Sequence, residues 1–192
     1  MKVALLIDGG YARAIVRERR LTYNPDLIER MAQAATRADE EVFRILYYDC
    51  LPYNGIQRLP VSGNEQRFDR SGEWLHSLAR RDLFAIRLGI LKFRGFIPKN
   101  IPIGSRELTD DDFKPDFEQK GVDMRIGLDI ANYANNRVIE RLIVITGDTD
   151  CVPAFKHARK SGLQVVLVEL SGSRLAPELR EHADFVRAVP LA

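Results

Sequence analysis

The sequence predicts an α/β fold with a mostly parallel central sheet and helices on both faces. Two observations carry this. Continuous apolar runs recur, and several stop at an acid, as buried parallel strands do when they reach a solvated edge. These runs alternate with stretches of helical periodicity, the pattern of βαβ units. The 192 residues, 45% apolar and 29% charged, suit one domain over 1–192 with a sizeable core.

Each element has its own local argument. Val3–Ile7 is an apolar run ended by Asp8, too short for a signal peptide or a membrane span, and reads as the first strand. A Gly-Gly turn and a basic helix over Ala12–Arg20 follow. Asn24-Pro25 looks like a helix cap with proline at the first helical position, and Leu27, Ile28, Met31 and Ala35 repeat at helical spacing. "EVFRILYYD" is a second strand closed by Asp49. The stretch from Asn64 to Asp82 fits a helix with Phe68, Leu75 and Leu78 inward, weakened by Gly72. Phe84, Ile86, Leu88 and Ile90 alternate as in a strand. Residues 94–118, with Pro98, Pro102, Pro115 and the triplet Asp110-Asp111-Asp112, read as a long irregular insert.

The pattern sharpens after Gly121. "VDMRIGLDIANYANNR" is helical, "RLIVIT" is a strand, and "CVPAFKHARKSG" is a helix closed by Gly162. "LQVVLVEL" is a strand, 173–182 a short helix and "FVRAV" a last strand. There is no internal repeat.

Net charge is only +2, too little by itself to argue for nucleic acid. The charge is uneven, with ten Lys/Arg against four acids between Arg58 and Arg106. That run is either a solvated face or a surface for phosphates. The two cysteines, Cys50 and Cys151, make neither a disulfide framework nor a CxxC pattern, so a reducing cytoplasm is the expected compartment. Cys151 reads as a buried inert thiol. His76, His157 and His182 form no Ser-His-Asp or Cys-His arrangement.

Acids are the residues that suggest chemistry. Asp8 ends the first strand, and Asp148 and Asp150 follow the strand Leu142–Thr146. In an open α/β sheet the carboxyl ends of the strands form the ligand crevice, so these groups can converge. Asp123 opens the helix before the second of these strands. Each acid alone has a plain reading as a turn, cap or helix-dipole residue. Together they repel, and a hard divalent cation such as Mg²⁺ relieves that repulsion. A phosphodiester is then the natural substrate, cleaved by metal-activated water with no protein nucleophile.

"LLIDGGY", "KGVDMRIGLDIANYA" and "LIVITGDTDCVPAFKHARKSGLQVVLV" resemble the NYN/LabA-like family of PIN-fold nucleases along nearly the whole chain. The resemblance is specific in the last two motifs and weaker in the middle insert. It implies a three-layer PIN-like fold, an acidic site holding Mg²⁺ or Mn²⁺, and cleavage of RNA, expected to be single-stranded. It places Asp8, Asp123, Asp148 and Asp150 on the family's acidic positions, as metal-binding and catalytic residues. A homodimer is a milder expectation from the same source. The chain departs from the pattern at Tyr11, where the family has Asn, at Cys151, where it has Phe, and at Thr146 and Thr149, where it has Ser.

Around this set stand candidate substrate contacts. Tyr11 offers a ring that either stacks on a base or packs over the crevice. Arg13 and Arg17, four apart, either grip a phosphate backbone or line a basic helix face. Lys120 either meets a phosphate or faces solvent. Thr146 and Thr149 either orient a carboxylate or metal-bound water or stabilise the turn. Asp129 lies about 240° around the helix from Asp123, and reads as a supporting structural acid. Asp49 belongs to no motif and is left outside the site.

The leading function is therefore a divalent-metal-dependent ribonuclease. The alternative is a non-catalytic RNA- or protein-binding regulatory module that keeps the acidic crevice. A phosphatase is the weakest reading, since Gly10 occupies the place of the second acid in a D-x-D-x-T signature. The chain also has no P-loop or GxGxxG fingerprint.

Overall fold

The computed structural model describes residues 1–103 and 107–191. Lys2–Asp8 forms β1, buried at every position after Lys2. Val3, Leu5 and Ile7 enter one apolar core, and Ala4 and Leu6 enter another on the opposite face. A strand sealed on both sides cannot alternate with polar residues, which is why the run is continuous. The first core also takes α1 (Gly9–Glu18) and α2 (Pro25–Ala35), through Ile15, Val16, Leu27, Ile28 and Met31.

The chain then builds outward along one half of a sheet. β2 (Glu41–Cys50) pairs parallel to β1, and β5 (Phe84–Pro98) pairs parallel to β2. Between them lie a separate hairpin, β3 (Gly55–Arg58) with β4 (Glu65–Phe68), and helix α3 (Glu73–Ala79). β6 (Phe113–Lys120) turns back antiparallel to β5. The second half grows from the other side of β1. Helix α4 (Val122–Asn136) leads into β7 (Arg141–Ile145), parallel to β1. α5 (Val152–Lys160), β8 (Gln164–Leu170), α6 (Pro177–Glu181) and β9 (Phe185–Val189) follow. The seven-stranded order is β6-β5-β2-β1-β7-β8-β9, and α4, α5 and α6 cover the second core. The result is the three-layer PIN-like arrangement expected from the sequence.

Three sequence expectations are corrected. The Gly-Gly pair is the first turn of α1, which starts at Gly9. A Cβ on Gly9 would lie 2.3 Å from the Tyr47 hydroxyl and 2.7 Å from the Tyr48 carbonyl oxygen, so glycine is needed for close approach. The expected helix from Asn64 is instead β4 followed by α3. Phe68 is drawn into a ring cluster with Tyr53, Phe93 and Phe117, at centroid distances of 5.6–5.9 Å. That tertiary packing outweighs local helical spacing. The insert at 94–118 is largely a β-hairpin, since β5 runs on to Pro98 and β6 begins at Phe113. Its prolines suggested irregularity, but Pro115 sits on an edge strand, where proline is tolerated, and the ladder continues past a register shift at Phe93/Gly95. Asp110–Asp112 form one 3₁₀ turn capped by Thr109. Gly104 and Arg106 of that expected insert lie outside the described residues, as does Ala192. Among the described residues no helix is long and apolar enough to cross a membrane.

Glu40 ties several elements together where α2 leads into β2. Its side chain is fully buried and accepts hydrogen bonds from Arg187 of β9, Arg141 of β7 and the Arg37 amide. Burial alone would raise its pKa, but the bonds from Arg187, Arg37 and Arg141 bring it down to about 2. A depressed carboxyl contributes stability that is complete above its ordinary pKa of 4.5 and is lost as pH falls toward about 2. That interval corresponds to about 3 kcal/mol. Urea unfolding should therefore show Glu40→Gln costing about 3 kcal/mol at pH 7 and roughly half as much at pH 3. An equal cost at both pH values would refute the linkage.

Candidate active site

The site forms where the strand order reverses. From β1 the chain first builds toward β6, then returns to place β7 on the other side of β1. The carboxyl ends of β1 and β7 therefore flank the switch point of the sheet, where ligands bind in folds of this kind. Ile7 pairs with Ile145 as the last partners of that ladder, and the next residues are Asp8 and Thr146. The apolar pattern stops on both strands at the same level, so the first polar groups emerge side by side.

Thr146 joins them. Its buried hydroxyl donates to Asp8 Oδ2 (3.1 Å) and accepts from the Asp148 amide (3.1 Å). The other Asp8 oxygen accepts from the Tyr11 amide (3.1 Å), capping α1. Asp8 is thus 8% exposed, with both oxygens held. Burial, helped by the Asp148 charge, raises its pKa against the pull of those hydrogen bonds. Asp148 in turn accepts from the Asp150 amide (2.9 Å), capping the 3₁₀ turn Thr149–Cys151 that leads into α5. Asp123, in the first turn of α4, reaches the same place. Its pKa is raised by desolvation and then by Asp148, Asp8 and Asp150, with a hydrogen bond to Asp148 adding to the effect. The four motif acids therefore share one electrostatic neighbourhood, although 142 positions separate Asp8 from Asp150.

Among the described residues, no group of three or more His, Cys, Asp or Glu side chains is already arranged as a metal cage. The donor chemistry still fits a hard divalent cation. The donors are carboxylate oxygens, and Mg²⁺ is commonly held by one or two carboxylates with water and substrate phosphate completing its shell. Burial first, and neighbouring carboxylates second, raise Asp8 and Asp123, and a bound cation would offset both costs.

The remaining candidates divide. Thr146 is the bridge just described. Thr149 opens the 3₁₀ turn and is exposed. Tyr11 is not a free stacking surface. Its half-buried ring packs against both cores and against Gly147, where a Cβ would come within 2.5 Å of it. The larger side chain at this position is accommodated by the absence of one opposite. Arg13 is paired with Asp49, so the structure gives its guanidinium a protein partner. Arg17 is exposed further along α1. Lys120 pairs with Glu118 within β6, an ion pair on the surface that competes with a role on phosphate. Asp129 accepts from the Tyr48 hydroxyl (2.9 Å) and Arg87 (3.0 Å), a structural role as expected. Burial, with Asp148 and Asp8 adding, pushes the Cys151 thiol up to about 12, which keeps it protonated and inert near neutrality.

Asp49 is the residue that motif reasoning passed over. It is 1% exposed at the carboxyl end of β2, the strand beside β1. Arg13, the Tyr47 hydroxyl (3.0 Å), Gln119 (3.3 Å) and the Cys50 amide (2.8 Å) all bond to it. The signal was available, since Asp49 ends an apolar strand just as Asp8 does.

An acidic crevice at the switch point of a parallel sheet, with helices on both faces, is the architecture of a PIN-like nuclease. The family model of the NYN domain matches residues 2–189, and the chain belongs to that family. NYN domains have the PIN-like nuclease fold, are generally hydrolases of this type and generally use divalent metals. Among solved structures, a protein of unknown function, VPA0982, from Vibrio parahaemolyticus RIMD 2210633 is similar in fold. It is 17% identical with a TM-score of 0.57, over 97% of this chain and 91% of that one. No curated protein matches the chain.

The desolvation of Asp123, with the neighbouring acids adding to it, has a measurable consequence. A raised carboxyl lowers stability as pH climbs from the ordinary value of 3.8, because the unfolded chain releases its proton first. In chelator at pH 7.5, Asp123→Asn should melt higher than the natural protein by roughly 1–3 °C. The gap should close as pH is lowered toward 4. A lower Tm for the variant at pH 7.5 would contradict the raised Asp123 carboxyl. Gly147→Ala should act in the opposite direction, costing roughly 1–3 kcal/mol by driving a methyl into the Tyr11 ring. Gly147→Ala combined with Tyr11→Ala should recover much of that loss in thermal melts.

Proposed function

We propose that this protein is a divalent-cation-dependent ribonuclease that hydrolyses phosphodiester bonds in single-stranded RNA. The observation that carries the reading is the bridge from Asp8 through Thr146 to Asp148 at the switch point of the sheet, with Asp123 close by. NYN membership supports hydrolysis of a nucleic acid. The choice of RNA, single strands, and Mg²⁺ or Mn²⁺ is our own reading.

Asp8 and Asp148 are the proposed direct holders of the ion, while Asp123 and Asp150 hold water around it. When bound, the ion supplies Lewis-acid stabilisation of the phosphoryl oxygens and lowers the pKa of water. The protein's share is positional. Thr146 and the Tyr11 amide fix both oxygens of Asp8, so its carboxylate does not reorganise during the reaction. Without a cation the carboxylates repel a phosphodiester placed between them, so the cation is expected to tighten the hold on the scissile phosphate.

A non-catalytic binding module is the second reading. The lack of a ready three-residue metal cage among the described residues favours it. Labelled single-stranded RNA with Mg²⁺ or Mn²⁺ separates the two. Asp8→Asn and Asp148→Asn should each reduce cleavage at least about 100-fold, as loss of several kcal/mol of transition-state stabilisation requires. Gel-shift binding with no turnover at any cation concentration would instead establish the module.

A further inference from the structure

Beside the acids lies a cleft of about 660 Å³, within the range of small-ligand sites. α1 contributes Arg13 and Arg17, α3 and the segment before it contribute Trp74 and Arg70, and the segment between β2 and β3 contributes Tyr53. β6 contributes Gln119, which connects the cleft to the acidic site. A Cβ on Gly10 would lie 2.7 Å from Gln119 Oε1 and 3.4 Å from Asp8 Oδ1, so both groups flank the same backbone position. A molecule filling the cleft therefore ends next to Asp8.

The lining chemistry is selective. Aromatic rings occur in two groups, Tyr23 edge-on to Trp74 (6.1 Å) and Tyr53 against Phe68 and Phe117 (5.8 and 5.7 Å). The Arg13 guanidinium stands over Tyr23 and Trp74, at 5.5 and 5.8 Å, and is neutralised by buried Asp49. Arg13 is therefore a wall of the cleft. Arg17 and Arg70 are exposed and make no ion pair among the described residues, so two uncompensated cations border an aromatic hollow. A planar aromatic group carrying anions matches this lining, and a nucleotide has that form.

We infer that this cleft is a subsite for one unpaired nucleotide of the substrate strand. Its base lies against the Trp74 and Tyr53 rings, and its phosphates face Arg17 and Arg70. The inference rests on the nuclease reading and extends it, because a base must leave its stack to enter such a hollow. Duplexes are then poor ligands, and the phosphate adjoining the held nucleotide is the one delivered to Asp8.

Trp74 is the chain's single tryptophan, so tryptophan emission, excited selectively over the six tyrosines, reports on this cleft. The full chain in chelator, where no cleavage occurs, is titrated with a single-stranded RNA hexamer, an abasic hexamer of equal charge and a hexamer duplex. The single strand should change Trp74 emission saturably, and the abasic strand and the duplex should each bind at least about fivefold more weakly. Tyr53→Ala and Arg70→Ala should each weaken the single strand by about the same factor. Arg70 is exposed, so its variant carries the test even where Tyr53→Ala folds poorly. With Mg²⁺ or Mn²⁺ added, the Arg70 variant should raise KM more than it lowers kcat. Binding that leaves Trp74 emission unchanged, equal affinity for the abasic strand, or no binding at all would overturn the subsite. RNA hydrolysis without a Trp74 response defeats the subsite and leaves the nuclease reading standing. A Trp74 response without hydrolysis under any divalent cation defeats the nuclease reading and leaves the subsite standing.

Discussion

The structure depends on β1 and β7 lying side by side, parallel, each sealed by apolar packing on both faces. From Val3 to Ile7 and from Leu142 to Ile145 neither strand carries a polar side chain. Because they are in register, they leave the core together, and Asp8 and Thr146 become neighbours without any local sequence relation. The burial that raises the Asp8 pKa is the same burial that fixes its position. Stability and site geometry are opposed here, since the carboxylates gathered at this edge repel one another in the absence of a counter-charge.

The compensating stability comes from elsewhere. Glu40, with Arg141 and Arg187, joins the segment before β2 to β7 and β9 through a buried ionic network. Arg141 begins the same strand that ends beside the acids. One strand thus carries a paired charge network at its start and a like-charged acidic cluster just past its end. The helices on the two faces then set what surrounds the cluster. α1 brings Arg13 and Arg17 toward the cleft, and α4 brings Asp123 to the acids.

Much of this was legible in the sequence because it follows from short-range rules. β1, β2, β7, β8 and β9 are apolar runs that the structure keeps almost residue for residue. The four motif acids were legible as strand-end and helix-start residues, and their grouping followed from the parallel topology those runs imply. The β3–β4 hairpin was not legible, because four-residue strands carry too little periodicity and Phe68 takes its place through contacts with Tyr53, Phe93 and Phe117. The β5–β6 hairpin was hidden by prolines whose tolerance depends on edge position, a tertiary fact. Tyr11 and Gly147 were each readable, but their complementarity of size needed coordinates. The same holds for Asp49, whose partners come from α1 and from β6, at the end of the sheet.

Pro115, described above as an edge-strand residue, has a consequence for self-association. A second chain that tried to lengthen the sheet past β6 would meet a prolyl ring with no amide proton to give, between Lys114 and Lys120 on the same strand. Growth by strand addition is disfavoured on that flank. The opposite margin, where Phe185 and Val186 of β9 are half open to water, is left as the more permissive seam.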